Sequence, residues 1–459
     1  MLRFLVAAVL AIPALSQPVA HQTALDRYVA APDSHYKYDV VSTIPGQGYT
    51  TYIIDLTSQQ WRSEKEVNRP IWKHWLTIVR PDEVKTDTGL MLISGGSVDQ
   101  KAPGPSRDLA EAATMTHSVA AELRGIPNEP LVFTDEGKPR TEDQIIAYTY
   151  VKYLKTGDET WPLRLPMTKA AVRAMDTVTA FCKTQGGGNV NVSKFVVAGA
   201  SKRGWTTWTT AAVDKRVIAI VPMVIDVLNE MPSIEHQYQA YGQYGEAIHD
   251  YVEMNLMPVS KTKEYEALMK IDDPYFYRDR LTMPKLLINS TGDQYFLPDS
   301  SRFYFDDLKG EKYLRYVPNT KHNLNADART TLLAYYDAVL RGQPRPRFSW
   351  KFEKNGDIRV TVEDQPTEVK LWQATNPEKR DFRLDTIGPA YKDQVLTANG
   401  KTYIGHVEKP AKGWTAYMVE LTYAGSGKYP LKFTTAVRVT PDTLPYPKPE
   451  PHGKISDLQ

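Results

Sequence analysis

Val196-Val197-Ala198-Gly199-Ala200-Ser201-Lys202-Arg203-Gly204-Trp205 is the stretch on which the reading of this chain turns. An apolar, β-branched run ends in a glycine and an alanine, and a serine follows. The next residues, Thr206-Thr207-Trp208-Thr209-Thr210-Ala211-Ala212, are compatible with a helix. The order predicts a strand, a tight turn and a helix, with Ser201 at the turn. A turn this sharp forces its central residue into an unusual backbone conformation. Small residues at Gly199, Ala200 and Gly204 let strand and helix approach one another. A serine held there projects from the sheet edge at a helix N-terminus, where free N–H groups and the helix dipole favour a developing oxyanion. An ordinary strand–turn–helix junction has the same local sequence, so the elements around the turn must decide between the two.

Working outward, the same strand-then-helix alternation recurs. Apolar runs at 49–56, 71–79, 88–93, 129–133, 217–225, 286–290 and 312–317 read as strands, and segments 110–123, 142–154 and 167–184 read as helices. Strands alternating with helices predict a mostly parallel sheet covered on both faces, an α/β architecture. Between Asp226 and Met283 lies a helical insertion rich in tyrosine (cap insertion about 227–283). It leaves the carboxyl edge of the sheet, where ligands bind in such folds. It reads as a cap over a site or as extra packing. After the turn-rich Arg341-Gly342-Gln343-Pro344 the helical period disappears, and short strands with turn signals such as Asn355-Gly356 follow. The chain therefore divides into an α/β part over 17–343, a C-terminal all-β, sandwich-like part over 344–442, and a proline-rich tail over 443–459 that reads as extended or disordered.

The 459 residues can bury a large core. A net charge of +2 with interspersed signs excludes a nucleic-acid binder and an anionic-membrane binder. At the N-terminus, Arg3 precedes a short apolar run, and Ala14 and Ser16 supply the small residues of a cleavage site, so 1–16 reads as a signal peptide. The run is too short to span a membrane and no other segment approaches one, so the expected location is secreted or periplasmic with no integral membrane segment. The single cysteine, Cys182, rules out an internal disulfide and a cysteine-built metal site; it lies in an apolar helical pattern and reads as a packing residue. No metal is expected, because the histidines show no H-E-x-x-H or comparable spacing. No cofactor is expected either, since no strand is followed by G-x-G-x-x-G and there is no Walker-type lysine motif.

A serine hydroxyl needs a base, usually histidine, oriented by a carboxylate. In α/β-hydrolases the chain order is Ser, then Asp or Glu, then His. That order is present. Strand 286–290 runs into Thr291-Gly292-Asp293, and strand 312–317 runs into Pro318-Asn319-Thr320-Lys321-His322. Ser201, Asp293 and His322 are the candidate nucleophile, acid and base. Taken singly, Asp293 also suits a turn and His322 an ordinary loop; the specificity is in the joint order. Asp226, at the end of the strand after the elbow, is the alternative acid. For the oxyanion, the donors are the N–H of Lys202 and that of Gly95 or Gly96, in the loop after strand 88–93.

The chain resembles the PhoPQ-activated pathogenicity-related family, which includes autocrine proliferation repressor-like proteins. The resemblance rests on Gly199-Ala200-Ser201-Lys202-Arg203-Gly204-Trp205, Val221-Pro222-Met223-Val224-Ile225-Asp226, Asn289-Ser290-Thr291-Gly292-Asp293-Gln294-Tyr295-Phe296 and Pro318-Asn319-Thr320-Lys321-His322. It implies an exported α/β-hydrolase-like protein with a C-terminal β domain. The elbow is unusual in placing Arg203 where G-x-S-x-G has its second glycine. It is similar to the elbow of glucuronoyl esterases, where a cation follows the nucleophile. Arg203 then either contacts a substrate or oxyanion or makes an ion pair beneath the elbow; Arg203 and Tyr295 are the candidates for substrate contact. Two functions fit. One is a serine hydrolase of small-molecule, carbohydrate-ester or peptide substrates. The other is a non-catalytic binding or signalling protein on a hydrolase scaffold.

Overall fold

A computed structural model describes residues 22–425 and 427–458; the leader expected over 1–16 lies outside them. The core is one mixed sheet. At its centre six strands run parallel in the order Ala120–Leu123, Thr88–Ile93, Lys194–Ala200, Val217–Met223, Lys285–Ser290, Lys312–Val317. These are apolar runs because both faces are covered. Along the elbow strand, Phe195 and Val197 face one core with Trp205 and Trp208 of helix Lys202–Val213 and Met175 of helix Arg164–Cys182. Val196 and Ala198 face the other, with Leu109 of helix Arg107–Thr116 and Leu333 of helix Ala326–Leu340. The two-residue period of a strand thus sorts its side chains between two helical layers.

Three antiparallel strands, Lys37–Gly46, Tyr49–Gln60 and Ile71–Pro81, extend one side of this centre. The C-terminal strands extend the other. Leu431–Thr434 bridges onto the last parallel strand at Leu314↔Thr434, and Trp414–Tyr423, Glu368–Asn376 and Lys392–Val395 continue outward. A second sheet of Phe348–Phe352, Ile358–Val362 and Thr402–Gly405 stacks on them, with Ile358, Val360 and Val362 buried in one cluster with Leu371, Val419 and Leu421. The C-terminal strands are sandwich-like, and one of their two sheets is hydrogen-bonded into the central sheet.

The helix expected over 110–123 is a helix only as far as Thr116. His117 takes a left-handed conformation (φ 50°) that ends it, and Ala120–Leu123 is a strand buried at all four residues. A strand buried on both faces has no polar alternation, and Ala-Ala-Glu-Leu reads as a helix just as well. The tyrosine-rich insertion forms helices Glu230–Tyr241, His249–Glu253, Leu256–Val259 and Lys263–Asp272. The proline-rich tail lies extended across it: Tyr446 N donates to Gln239 O at 3.1 Å, and Gly453 N to Pro258 O at 2.9 Å.

The displaced glycine of the elbow has a structural explanation. A Cβ at Gly204 would stand 2.9 Å from Met223 O and 3.0 Å from Gly199 O, and one at Gly199 would stand 2.5 Å from Arg203 O. Gly204, one residue later than usual, thus meets the steric demand the usual second glycine meets. Gly204→Ala therefore forces backbone apart, at a cost of about 1–3 kcal/mol. We expect a lower melting temperature for Gly204→Ala than for wild type by thermal unfolding, and no change for Gly104→Ala, where a Cβ meets nothing within 4 Å.

Candidate active site

Ser201 stands between the elbow strand and helix Lys202–Val213 at φ 58°, ψ −129°, a conformation that non-glycine residues adopt only under constraint. Its N–H donates to Met223 O at 2.8 Å, and its carbonyl accepts the first helical bond from Trp205 N at 3.0 Å. Both neighbours of the turn are therefore fixed, and the side chain is left at the carboxyl edge of the sheet. Two more non-glycine residues close by hold positive φ: Val224 (43°), directly after the adjacent strand, and Glu142 (50°).

Glu142 holds an ion cluster beneath the elbow. Arg203 Nη1 and Nη2 donate to its two carboxylate oxygens at 3.0 and 2.6 Å, and Lys202 Nζ lies 2.6 Å from Oε2. Lys202 Nζ also reaches Asp143 Oδ2 at 3.1 Å, and Arg203 Nε donates to Ile126 O. These contacts hold the Glu142 carboxyl well below the usual range against the effect of its burial. Glu129 accepts from Glu142 N at 2.6 Å, and burial together with the Glu142 charge pushes its carboxyl up. The guanidinium of Arg203 is spent on Glu142 and Ile126 and packs against Gly95, where a Cβ would come within 2.3 Å of Nη2. Of the two roles expected for Arg203, a substrate contact or an ion pair at the elbow, the structure shows the ion pair, with Glu142.

Strand register sets the oxyanion side. Ile93 pairs with Gly199 in parallel, so Gly95 stands level with Ser201 one strand away. Among the described residues neither the Gly95 nor the Gly96 N–H is hydrogen-bonded, and Lys202 N–H is a free first-turn donor.

Asp293 and His322 come together at the ends of strands Lys285–Ser290 and Lys312–Val317, which are parallel neighbours. His322 Nδ1 lies 2.9 and 3.0 Å from the two oxygens of Asp293. Asp293 is 3 % exposed and also accepts from Tyr295 N at 2.8 Å. His322 Nε2 is buried with no partner among the described residues, and Ser201 Oγ and Nε2 do not hydrogen-bond each other. The acid turn and the histidine loop are stitched: Ser290 Oγ donates to Thr320 O at 2.6 Å, and a Cβ at Gly292 would come within 2.7 Å of that same carbonyl. Beyond them, Leu384 N donates to Gly292 O at 3.1 Å, while Asn319 and Tyr391 exchange bonds at 3.0 and 2.9 Å. The C-terminal layer thus braces the histidine loop.

The alternative acid, Asp226, has other partners. Its two oxygens accept from Tyr304 OH (2.5 Å) and Tyr316 OH (2.6 Å), and burial pushes its carboxyl up to about 7. The acid beside His322 is Asp293.

A cavity of about 60 Å³ opens beside Ser201, walled by Trp205, Ile225, Val227, Ile234, Met257 and Phe296. The insertion supplies part of this wall, so it shapes the space at the serine as well as adding packing. Tyr295 lines the cavity too, and its ring lies 4.5 Å from that of His322, which sets the imidazole just behind the cavity wall. Asp143, Arg164 and Glu230 also line it. None of these three stands near a recognisable motif. The one available signal was Arg164, an arginine inside the apolar run Trp161-Pro162-Leu163-Arg164-Leu165-Pro166-Met167.

A sequence profile described as "PhoPQ-activated pathogenicity-related protein" matches residues 25–383, most of the chain. The chain belongs to the PhoPQ-activated pathogenicity-related protein family. Within reach of this family lies autocrine proliferation repressor protein A of Dictyostelium discoideum, 40% identical over 457 residues and covering 92% of each chain. An acetyl xylan esterase from Paenibacillus sp. R4 superposes with a TM-score of 0.50 at 16% identity, over 71% of this chain and 96% of that one. That likeness shows the α/β-hydrolase fold for this member of the family. Among its described residues, no helix is long and apolar enough to cross a membrane.

Two outcomes follow from the geometry. Glycine tolerates φ 58°, ψ −129° where alanine does not, so Ser201→Gly melts above Ser201→Ala; equal melting temperatures would deny the strain. Asp226 titrates higher folded than unfolded, where its value is about 3.8. Its contribution is complete below pH 4 and is lost as pH rises through about 7. The melting temperature should therefore fall between about pH 4 and 7, with a shallower fall in Asp226→Asn.

Proposed function

We propose that this protein is an exported serine hydrolase of carboxylic esters, acting on small-molecule or carbohydrate esters through Ser201, His322 and Asp293. The observation that carries the reading is a strained, elbow-held Ser201 on the same sheet edge as a histidine whose Nδ1 is held by a buried aspartate and whose Nε2 has no partner among the described residues. In this reading Ser201 Oγ attacks the ester carbonyl and His322 Nε2 takes its proton. The oxyanion faces the Lys202 N–H and the amide of Gly95 or Gly96. The imidazolium, stabilised by Asp293, then gives the proton to the leaving alcohol. Water, deprotonated by the same nitrogen, releases the acid from the acyl-enzyme. The leader expected over 1–16 supports export.

A second reading has a specific support. The relative that is 40% identical is named for repressing proliferation, and Ser201 and His322 are not hydrogen-bonded to one another. A signalling protein that kept the scaffold for packing would keep its biological activity in Ser201→Ala.

Hydrolysis of p-nitrophenyl acetate and butyrate separates the two. The catalytic reading expects turnover by wild type, its loss in Ser201→Ala and His322→Ala, and a fall of about 10⁴-fold in kcat for Asp293→Asn. Asp226→Asn should retain most activity. Wild-type turnover indistinguishable from that of Ser201→Ala contradicts it.

A further inference from the structure

Arg164 is a buried charge that leaves most of its hydrogen-bonding capacity unused among the described residues. It is 4 % exposed and opens onto the cavity at Ser201. A guanidinium has five N–H donors. Among the described residues Arg164 makes one hydrogen bond, from Nη1 to Lys202 O at 3.3 Å. Its Nε is buried without a partner, and Asp272 Oδ2 stands 3.6 Å away, beyond hydrogen-bond length. Asp272 is drawn off by Tyr150 OH at 2.5 Å, and its carbonyl is taken by Trp205 Nε1 at 2.7 Å. The Trp205 ring lies under the guanidinium, 4.5 Å from its carbon, and fixes its plane. Buried cations are ordinarily paired and fully hydrogen-bonded. Here the rigid donor fork that suits a carboxylate lines the nucleophile's cavity, paired with Asp272 only at 3.6 Å and with donors left unused.

Resting on the hydrolase reading above, we propose that the cavity beside Ser201 recognises a carboxylate carried by the substrate within a few bonds of the scissile carbonyl, with Arg164 as its binding residue. The acidic side chains along the same wall do not oppose this. Asp143 is engaged by Lys202 Nζ at 3.1 Å and Tyr251 OH at 3.0 Å. Glu230 faces Arg164, Tyr265, Asp272 and Asp273, and burial with those two aspartates pushes its carboxyl up to about 8. In its protonated form it can donate to a carboxylate. A cavity of about 60 Å³ has the volume of about two waters. That suits the carboxylate end of a short chain such as a succinyl half-ester and excludes a long acyl chain.

The anion site is tested separately from turnover by titrating monomethyl succinate into Ser201→Ala protein at pH 7 by calorimetry. Binding is expected, with methyl butyrate at least about tenfold weaker, since a hydrogen bond to a charged group is worth that much. Arg164→Gln in the same background should lose the discrimination and Arg164→Lys should keep part of it. Equal binding of the two ligands overturns the proposal and marks the cavity as a water-filled space. Turnover then locates the carboxylate. A preference of wild type for p-nitrophenyl succinate over the butyrate places it on the acyl side, and a preference for O-acetylglycolate over ethyl acetate places it on the alcohol side. Turnover of these esters with no preference for either acidic member overturns the proposal, even if Arg164→Gln fails to fold. Binding of monomethyl succinate without turnover of any ester overturns the hydrolase reading and leaves the anion site standing. The preference should fall above about pH 8, where Glu230 ionises.

Discussion

The backbone of Ser201 is held in a conformation that costs about 1–3 kcal/mol for a residue with a side chain, and the surrounding structure exists in the form that holds it there. Three constraints do this together. Gly199 and Gly204 bring strand and helix so close that their backbones touch. Met223 O takes the Ser201 N–H. Lys202 and Arg203, the first two residues of the helix, are tied to Glu142 and Asp143 on helix Glu142–Thr156, which anchors the elbow from below. The Lys-Arg pair that departs from the usual elbow sequence is therefore part of the support, and its charges are consumed in it. A buried cluster of this kind contributes little net stability when intact but is costly to break; its effect is to fix one geometry.

From that turn the rest of the molecule reads as two braces around one edge of the sheet. On one side the C-terminal layer continues the central sheet past strand Lys312–Val317 and ties its 384 and 391 region to the Asp293 turn and the His322 loop. On the other, the insertion after strand Val217–Met223 closes over the cavity and is crossed on its outer side by the tail. The C-terminal β part is thus a structural partner of the histidine, and the insertion walls part of the cavity at Ser201.

The order of serine, acid and histidine was legible because each follows a buried strand, and buried strands announce themselves as short apolar runs ending in glycine or a turn. What stayed hidden has a common physical cause. Ala120–Leu123 is buried on both faces and carries no period that separates strand from helix. The pairing of Leu314 with Thr434 and the ties from Lys202 and Arg203 to Glu142 are contacts between residues 60 or more positions apart, with no local pattern to mark them. Arg203 could be read from sequence as an ion-pair former or a substrate contact, and only its position against Gly95 and Glu142 separates the two. Arg164 was visible only as a charge in an apolar stretch.

Covalent trapping of the serine decides whether Ser201 is a nucleophile. The full-length protein is incubated with a small fluorophosphonate, and the adduct is located by peptide mass spectrometry. A single adduct on Ser201 is expected, absent in Ser201→Ala and strongly slowed in His322→Ala, because the proposed triad makes the hydroxyl reactive only when the elbow presents it to the imidazole. An unmodified Ser201 after prolonged incubation, or modification as fast in His322→Ala as in wild type, would contradict it.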